Sequence, residues 1–319
     1  MDDARHDRPS IASGSRPVRL TIVGSGPAAP QTDTPASGLL VQSDRTAVLF
    51  DCGSGVMGRL RETIDPTMLD AVVIGHLHAD HFIDLAALRY LFPWAGIPAG
   101  RPSVWLPPGG IARLTALAGL MSERPTFFDE AFDVHEYRSD HTIRVGDLRV
   151  LPAPMHHYVP AWAMRVEAVT GAVLVYSGDT GPTDALVQLA TGADLLVAEA
   201  TLTSPLEDEM RRGHLTAEEA IDTAERAGAG RLVLTHYPSS RRRALRGLAD
   251  GAKKLAVEVG RPGLVLDVRP PAARDDQPGG DSARDESGAS SEDRSSEATR
   301  SRIPSPVGSA PIRTSALRQ

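Results

Sequence analysis

Apolar positions along the chain fall into short runs separated by longer stretches of mixed character. The runs VRLTIVG (18–24), AVLFDCG (47–53), LDAVVIG (69–75), LRVLPAP (148–154), AVLVYSGD (172–179), ADLLVAEA (193–200) and RLVLTHYP (231–238) are rich in β-branched and aliphatic residues. Each gives way to Gly, Pro or an acid, which predicts strands. In DLAALRYLF (84–92), TDALVQLAT (183–191) and TAEEAIDTAERAGA (216–229) the apolar residues recur every three or four positions, which predicts helices. Strands and helices in this order predict a layered α/β domain over residues 17–270, with no internal repeat of fixed period. The two ends break the pattern. Residues 1–16 are polar, and residues 271–319 hold no Phe, Trp or Tyr among their acids, arginines, Ser, Gly and Pro. Neither end buries enough apolar surface to offset its ordering entropy, so both are expected to be disordered tails.

Composition narrows the class. With 319 residues and 41% hydrophobic content, the chain can build a core without staples. A net charge of -7 argues against coating nucleic acid through bulk charge, so any such contact has to be local. The single cysteine, Cys52, excludes an internal disulfide and a CxxC-type zinc site, and points to a reducing, cytoplasmic location. Cys52 itself reads as a small buried residue, since nothing near it in sequence would activate a nucleophile. The N-terminus lacks the apolar core of a signal peptide. No stretch approaches the roughly 18 to 20 apolar residues of a membrane span, so a soluble protein with no membrane partner is expected.

The chemistry concentrates after the third run. Of ten histidines, three stand with an acid inside six positions, as His76, His78, Asp80 and His81, between a strand expected to end at Ile74–Gly75 and a helix expected to begin near Ile83. Imidazole and carboxylate are borderline-to-hard ligands that suit zinc, manganese or iron. Four of them exceed what one metal usually takes from one segment, so two metals are indicated. The remaining ligands belong at other strand C-termini, where open α/β sheets gather functional loops. VLVYSGDT delivers Asp179 there, and RLVLTHYP delivers His236. Spacing alone leaves open the choice between the adjacent His156 and His157.

The motifs H-L-H-A-D-H, S-G-D-T and L-T-H-Y-P together resemble the metallo-β-lactamase superfamily. That resemblance implies an α/β fold, an αβ/βα sandwich of two mixed sheets flanked by helices, with a two-metal site on one edge. TIVGSGPAAP, PASGLLV and LFDCGSGV further resemble the ribonuclease Z-like branch, which includes transfer-RNA 3′-processing nucleases and cyclic-nucleotide phosphodiesterases. By this resemblance His76, His78 and His157 hold one metal, Asp80, His81 and His236 hold the other, and Asp179 bridges. His157 is preferred because only it places Val159, Pro160, Trp162 and Arg165 in the branch's H-x-V-P-x-aromatic-x-x-R register; His156 becomes a neighbour in the pocket. The implied cofactors are two divalent ions, Zn2+ first and Mn2+ as the alternative. Glu199, in LLVAEAT, and His214, just before a T-x-x-E capping box at Thr216 and Glu219, are similar to the Glu that orients a His and the His that acts on the scissile phosphate. Asp80 would also orient the attacking water, and His214 would protonate the departing oxygen.

These readings give a metal-dependent phosphodiesterase. RNA-processing members usually carry a long Gly- and Pro-containing arm between the third ligand and the bridging Asp, whereas here the interval from His157 to Asp179 has room for little beyond a hairpin. A small or cyclic nucleotide is therefore the expected substrate. Transfer-RNA 3′ processing, with RNA as partner, is the alternative, and an acyl hydrolase of the same fold is the further one, against which Glu199 and His214 speak. A homodimer is compatible with the sequence. Arg241, Arg242, Arg243 and Arg246 read as a solvated helix face, and Phe92, Trp94 and Trp105 as core before base-binding wall.

Overall fold

The computed structural model describes residues 17–92 and 101–270; both expected tails and Trp94 lie outside the described residues. The first sheet begins with β1 (Val18–Gly24), β2 (Gly38–Gln42), β3 (Ala47–Phe50), β4 (Ala71–Val73), β5 (Ser103–Leu106) and β6 (Asp133–Glu136). The second holds β7 (Ile143–Val145), β8 (Leu148–Met155), β9 (Ala161–Ala168), β10 (Val173–Tyr176), β11 (Leu195–Glu199), β12 (Arg231–Thr235) and β13 (Ala256–Val259). A final strand, β14 (Val265–Val268), returns to the first sheet and pairs antiparallel with β1, so each sheet has seven strands. In both sheets an antiparallel portion runs into a parallel one: β3, β4, β5 and β6 are mutually parallel neighbours, as are β10, β11, β12 and β13.

The central strands are apolar on both faces because both faces are covered. Leu39 and Val41 join the core between the sheets, while Leu40 between them turns outward to the helices. In the second sheet Leu195 and Val197 point inward, and Leu196 and Ala198 point outward. Helices α1 (Val56–Leu60), α3 (Leu85–Arg89) and α4 (Gly110–Met121) cover the outer face of the first sheet, and α5 (Asp184–Ala190), α6 (Ala217–Ala227) and α7 (Arg242–Gly251) that of the second. The short α2 (Ala79–Phe82) lies between α1 and α3 in sequence. The result is the two-sheet sandwich flanked by helices that the sequence motifs imply. Phe92 is buried in the outer core of the first sheet, and Trp105 packs against the central core while stacking on His135.

One boundary differs from the sequence expectation. The helix expected near Ile83 is α3, which starts at Leu85, but the separate short α2 precedes it from Ala79, so Asp80 and His81 stand in a helical turn instead of a loop. Tertiary hydrogen bonds set this. The Asp80 carbonyl accepts from the Ser37 N–H at 3.2 Å, and the His81 carbonyl accepts from the Cys52 N–H at 2.7 Å. A four-residue helix has no apolar periodicity from which to read it.

Candidate metal centre and catalytic site

Loops at the C-terminal ends of the strands converge on one edge of the sandwich. The loop after β4 supplies His76 and His78, α2 supplies Asp80 and His81, and the turn after β8 supplies His157. The segment after β10 supplies Asp179, β11 ends on Glu199, and His236 follows β12 directly. Between His157 and Asp179 the chain forms only the β9–β10 hairpin.

The side chains gather in two adjoining groups. His76, His78 and His157 each present an atom within 4.8 Å of the others; so do Asp80, His81, Asp179 and His236. Asp179 joins the two, its Oδ2 lying 3.8 Å from His76 Nε2, 3.3 Å from His81 Nε2 and 3.5 Å from His236 Nε2. His236 Nε2 is also 3.2 Å from Asp80 Oδ2. The structure thus puts all seven residues of the sequence-derived set in contact with a neighbour of the set. His156 turns away from both groups: it is exposed, and its Nε2 meets the Arg211 carbonyl at 2.7 Å.

The donor set fits divalent cations. His76 Nδ1, His81 Nε2 and Asp179 Oδ1 are buried polar atoms without a hydrogen-bond partner, and such atoms are costly unless something else pairs with them. Burial holds His76 well below the ordinary imidazole pKa and lowers His78 and His157, so these rings keep their lone pairs. Burial works to raise Asp80, but the His236 hydrogen bond and the neighbouring His81 ring prevail and hold its carboxyl below the usual carboxylate range. For Asp179 burial again opposes ionisation, and the imidazoles of His236 and His81 beside it overcome that.

Several residues that aim this set escaped the sequence analysis. Asp51, fully buried after β3, accepts a hydrogen bond from His81 Nδ1 through Oδ2 at 2.7 Å and also accepts from the Tyr176 hydroxyl at 2.7 Å and the Gly75 N–H at 2.7 Å. It fixes which ring nitrogen His81 presents, as outer carboxylates do at metal sites. Thr201 Oγ1 lies 2.9 Å from His236 Nδ1 and 2.6 Å from Glu199 Oε2. His157 Nδ1 donates to the Gly213 carbonyl at 2.7 Å, leaving Nε2 toward the group. The only sequence signal for Asp51 was an acid at a strand end, the same signal that identified Asp179.

Beside the two groups stands a further pair. His214 Nδ1 donates to Glu199 Oε1 at 2.8 Å, and its ring stacks on His236 at 5.8 Å between centroids. Burial disfavours the charged imidazole, yet the Glu199 hydrogen bond and charge outweigh it and raise His214 to about 9. Thr216 caps α6 with the reciprocal Glu219 contact expected from T-x-x-E, fixing the chain two residues after His214. Arg165 and Arg241 are engaged elsewhere: Arg165 bonds Glu167 and the carbonyls of Leu189 and Thr191, and Arg241 bonds the carbonyls of Ala200 and Thr201. Cys52 is buried, and burial pushes its thiol well above the ordinary value.

Comparison with known proteins follows the same outline. The family described as "Beta-lactamase superfamily domain" matches residues 46–237. An uncharacterized protein of Mycobacterium tuberculosis is 36% identical over 227 residues, covering 69% of this chain and 81% of its own. A protein named ribonuclease Z from Mycobacterium bovis is 31% identical over 242 residues, covering 69% of this chain and 86% of its own. Among solved structures, the metallo-beta-lactamase fold protein YhfI of Bacillus subtilis superposes with a TM-score of 0.69 at 26% identity, covering 79% of this chain and 100% of YhfI.

Proposed function

The chain belongs to the beta-lactamase superfamily, and from that premise we propose that it is a dinuclear metal-dependent phosphodiesterase acting on a small or cyclic nucleotide. His76, His78 and His157 would hold one divalent ion, Asp80, His81 and His236 the other, with Asp179 shared; zinc suits this donor set best and manganese is the alternative. Such ions supply a water made acidic enough to attack at neutral pH and positive charge opposite the phosphoryl oxygens.

The chain's own groups do the rest. Asp80 orients the attacking water. Asp51 and Thr201 keep His81 and His236 in single orientations. The Glu199–His214 pair is the observation that carries the phosphodiester reading. With Nδ1 committed to Glu199, His214 has Nε2 free to hold a proton, and at a pKa of about 9 it holds that proton at neutral pH. An alkoxide or ribose oxygen leaving phosphorus is strongly basic and needs such a proton.

A compact substrate is favoured because only the β9–β10 hairpin occupies the interval where an RNA-gripping arm would insert, and because the chain is acidic. Ribonuclease Z-like transfer-RNA 3′ processing is the second reading, favoured by the relative of that name. Side-by-side assay of the metal-loaded protein on cyclic AMP, a precursor transfer RNA and an acyl homoserine lactone tests the choice. Turnover of cyclic AMP above the other two is expected; cleavage of the RNA alone would move the assignment to the second reading, and hydrolysis of the lactone alone would remove phosphodiester chemistry altogether.

A further inference from the structure

The loop that follows β1, together with residues of α1, the start of α7 and the turn before β14, encloses an open cavity of about 630 Å³. Three guanidiniums line it, Arg59, Arg242 and Arg261, against one carboxylate, Asp33. In a chain of net charge -7 this is a local concentration of positive charge. Arg242 is held in place: Nη1 donates to Asp33 Oδ2 at 2.6 Å and Nε to the Tyr237 hydroxyl at 3.3 Å, while Nη2 is buried without a hydrogen-bond partner. Arg261 is exposed and has no ion-pair partner among the described residues. Arg59 reaches Glu62, but Glu62 is 61% exposed and outside the cavity wall, and an exposed pair of this kind contributes little. Thr32 and Ser54 also line the cavity, and their hydroxyls have no hydrogen-bond partner among the described residues.

Part of the rest of the wall has restricted backbone: Pro27, Pro30, Pro35 and Pro262 have fixed φ, and Gln31 Oε1 accepts from the Ser239 N–H at 3.0 Å. Backbone restricted before a ligand arrives loses less entropy on binding. Guanidinium donors match phosphate oxygens in geometry and charge, and the volume lies within the range of about 300 to 1,000 Å³ typical of small-molecule sites.

We propose that this cavity binds a phosphate-bearing ligand of nucleotide size at a place distinct from the metal centre. It touches the catalytic edge at two points: Ala36, in the wall, precedes Ser37, whose N–H donates to the Asp80 carbonyl, and Arg242 donates to the hydroxyl of Tyr237, the residue after His236. The phosphate belongs either to a free mononucleotide or to the far end of a substrate already bound at the metals.

The test is isothermal titration of the metal-loaded full chain with adenosine 5′-monophosphate. Wild type binds it, His78→Ala still binds it, and the double variant Arg59→Glu/Arg261→Glu binds at least ten-fold more weakly with an unchanged melting temperature in the absence of nucleotide. No binding by wild type, equal binding by the double variant, or loss of binding in His78→Ala alone overturns the proposal. A second arm identifies the source of the phosphate through KM for a dinucleotide carrying a 5′-phosphate and for bis-p-nitrophenyl phosphate. A rise in the double variant confined to the dinucleotide assigns the cavity to the substrate's far phosphate, and no rise assigns it to a free ligand.

Discussion

At His81 the ring is held from both sides, by Asp51 at Nδ1 and by Asp80 and Asp179 facing Nε2. Removing the Asp51 charge with Asp51→Asn should therefore lower metal affinity by about 10- to 100-fold, the usual effect of an outer partner, without removing a ligand. Competition with a chromophoric chelator reads this, and wild-type affinity in the variant would show that His81 needs no such support. The adjacent histidines give a second test: His157→Ala should lose metal and turnover together, whereas His156→Ala, bonded to the Arg211 carbonyl, should keep both. His214 gives a third. His214→Ala should slow ordinary phosphodiesters by on the order of 10² to 10⁴ with metal content intact, and much less for bis-p-nitrophenyl phosphate, whose leaving group departs without a proton. An equal loss on both substrates would make His214 a phosphate binder. The pH profile follows from the raised value: activity should persist through neutrality and fall as pH rises through about 9, where His214 loses its proton. Glu199→Gln should bring that fall toward the ordinary imidazole value, and an unmoved basic limb would dissociate the limb from His214.

The strands carrying the candidate ligands were legible from sequence because the central strands are buried on two faces, so runs such as 71–73 and 195–198 are apolar throughout. The candidate ligands were legible because they cluster within one segment or end such a run. Asp51 and Thr201 were not, since their roles come from partners 30, 125 and 35 positions away, on other elements of the fold. The short α2 was hidden for the same reason. Close approach of backbones around α2 yields a prediction for that element: a Cβ at Gly53 would overlap the Asp80 carbonyl, so Gly53→Ala should shift α2 and weaken metal binding at Asp80 and His81. Metal content equal to wild type would show that the loop absorbs the methyl group. At α6, Thr216→Ala removes a capping-box hydroxyl and should cost about 0.5 to 2 kcal/mol in denaturant unfolding; a cost near zero would mean that water replaces the cap.

Across the whole molecule, the two sheets divide the labour. The first contributes Asp51, His76, His78, Asp80 and His81 from the ends of β3 and β4, and the second contributes His157, Asp179, Glu199 and His236 from the ends of β8, β10, β11 and β12. The central core that joins the sheets therefore also sets the distance between the ligand groups. Because the candidate ligands come from both sheets, a bound metal would stabilise the sandwich, as an ion that binds only the folded chain adds to its stability. No helix among the described residues is long and apolar enough to cross a membrane. Phosphodiester hydrolysis that depends on two ions at this edge is tested by stepwise addition of zinc or manganese to the chelator-stripped chain while bis-p-nitrophenyl phosphate hydrolysis is recorded. Turnover should appear as the second equivalent binds and level off at two per chain; full activity at one equivalent, or none at any occupancy, would rule out a two-ion phosphodiesterase.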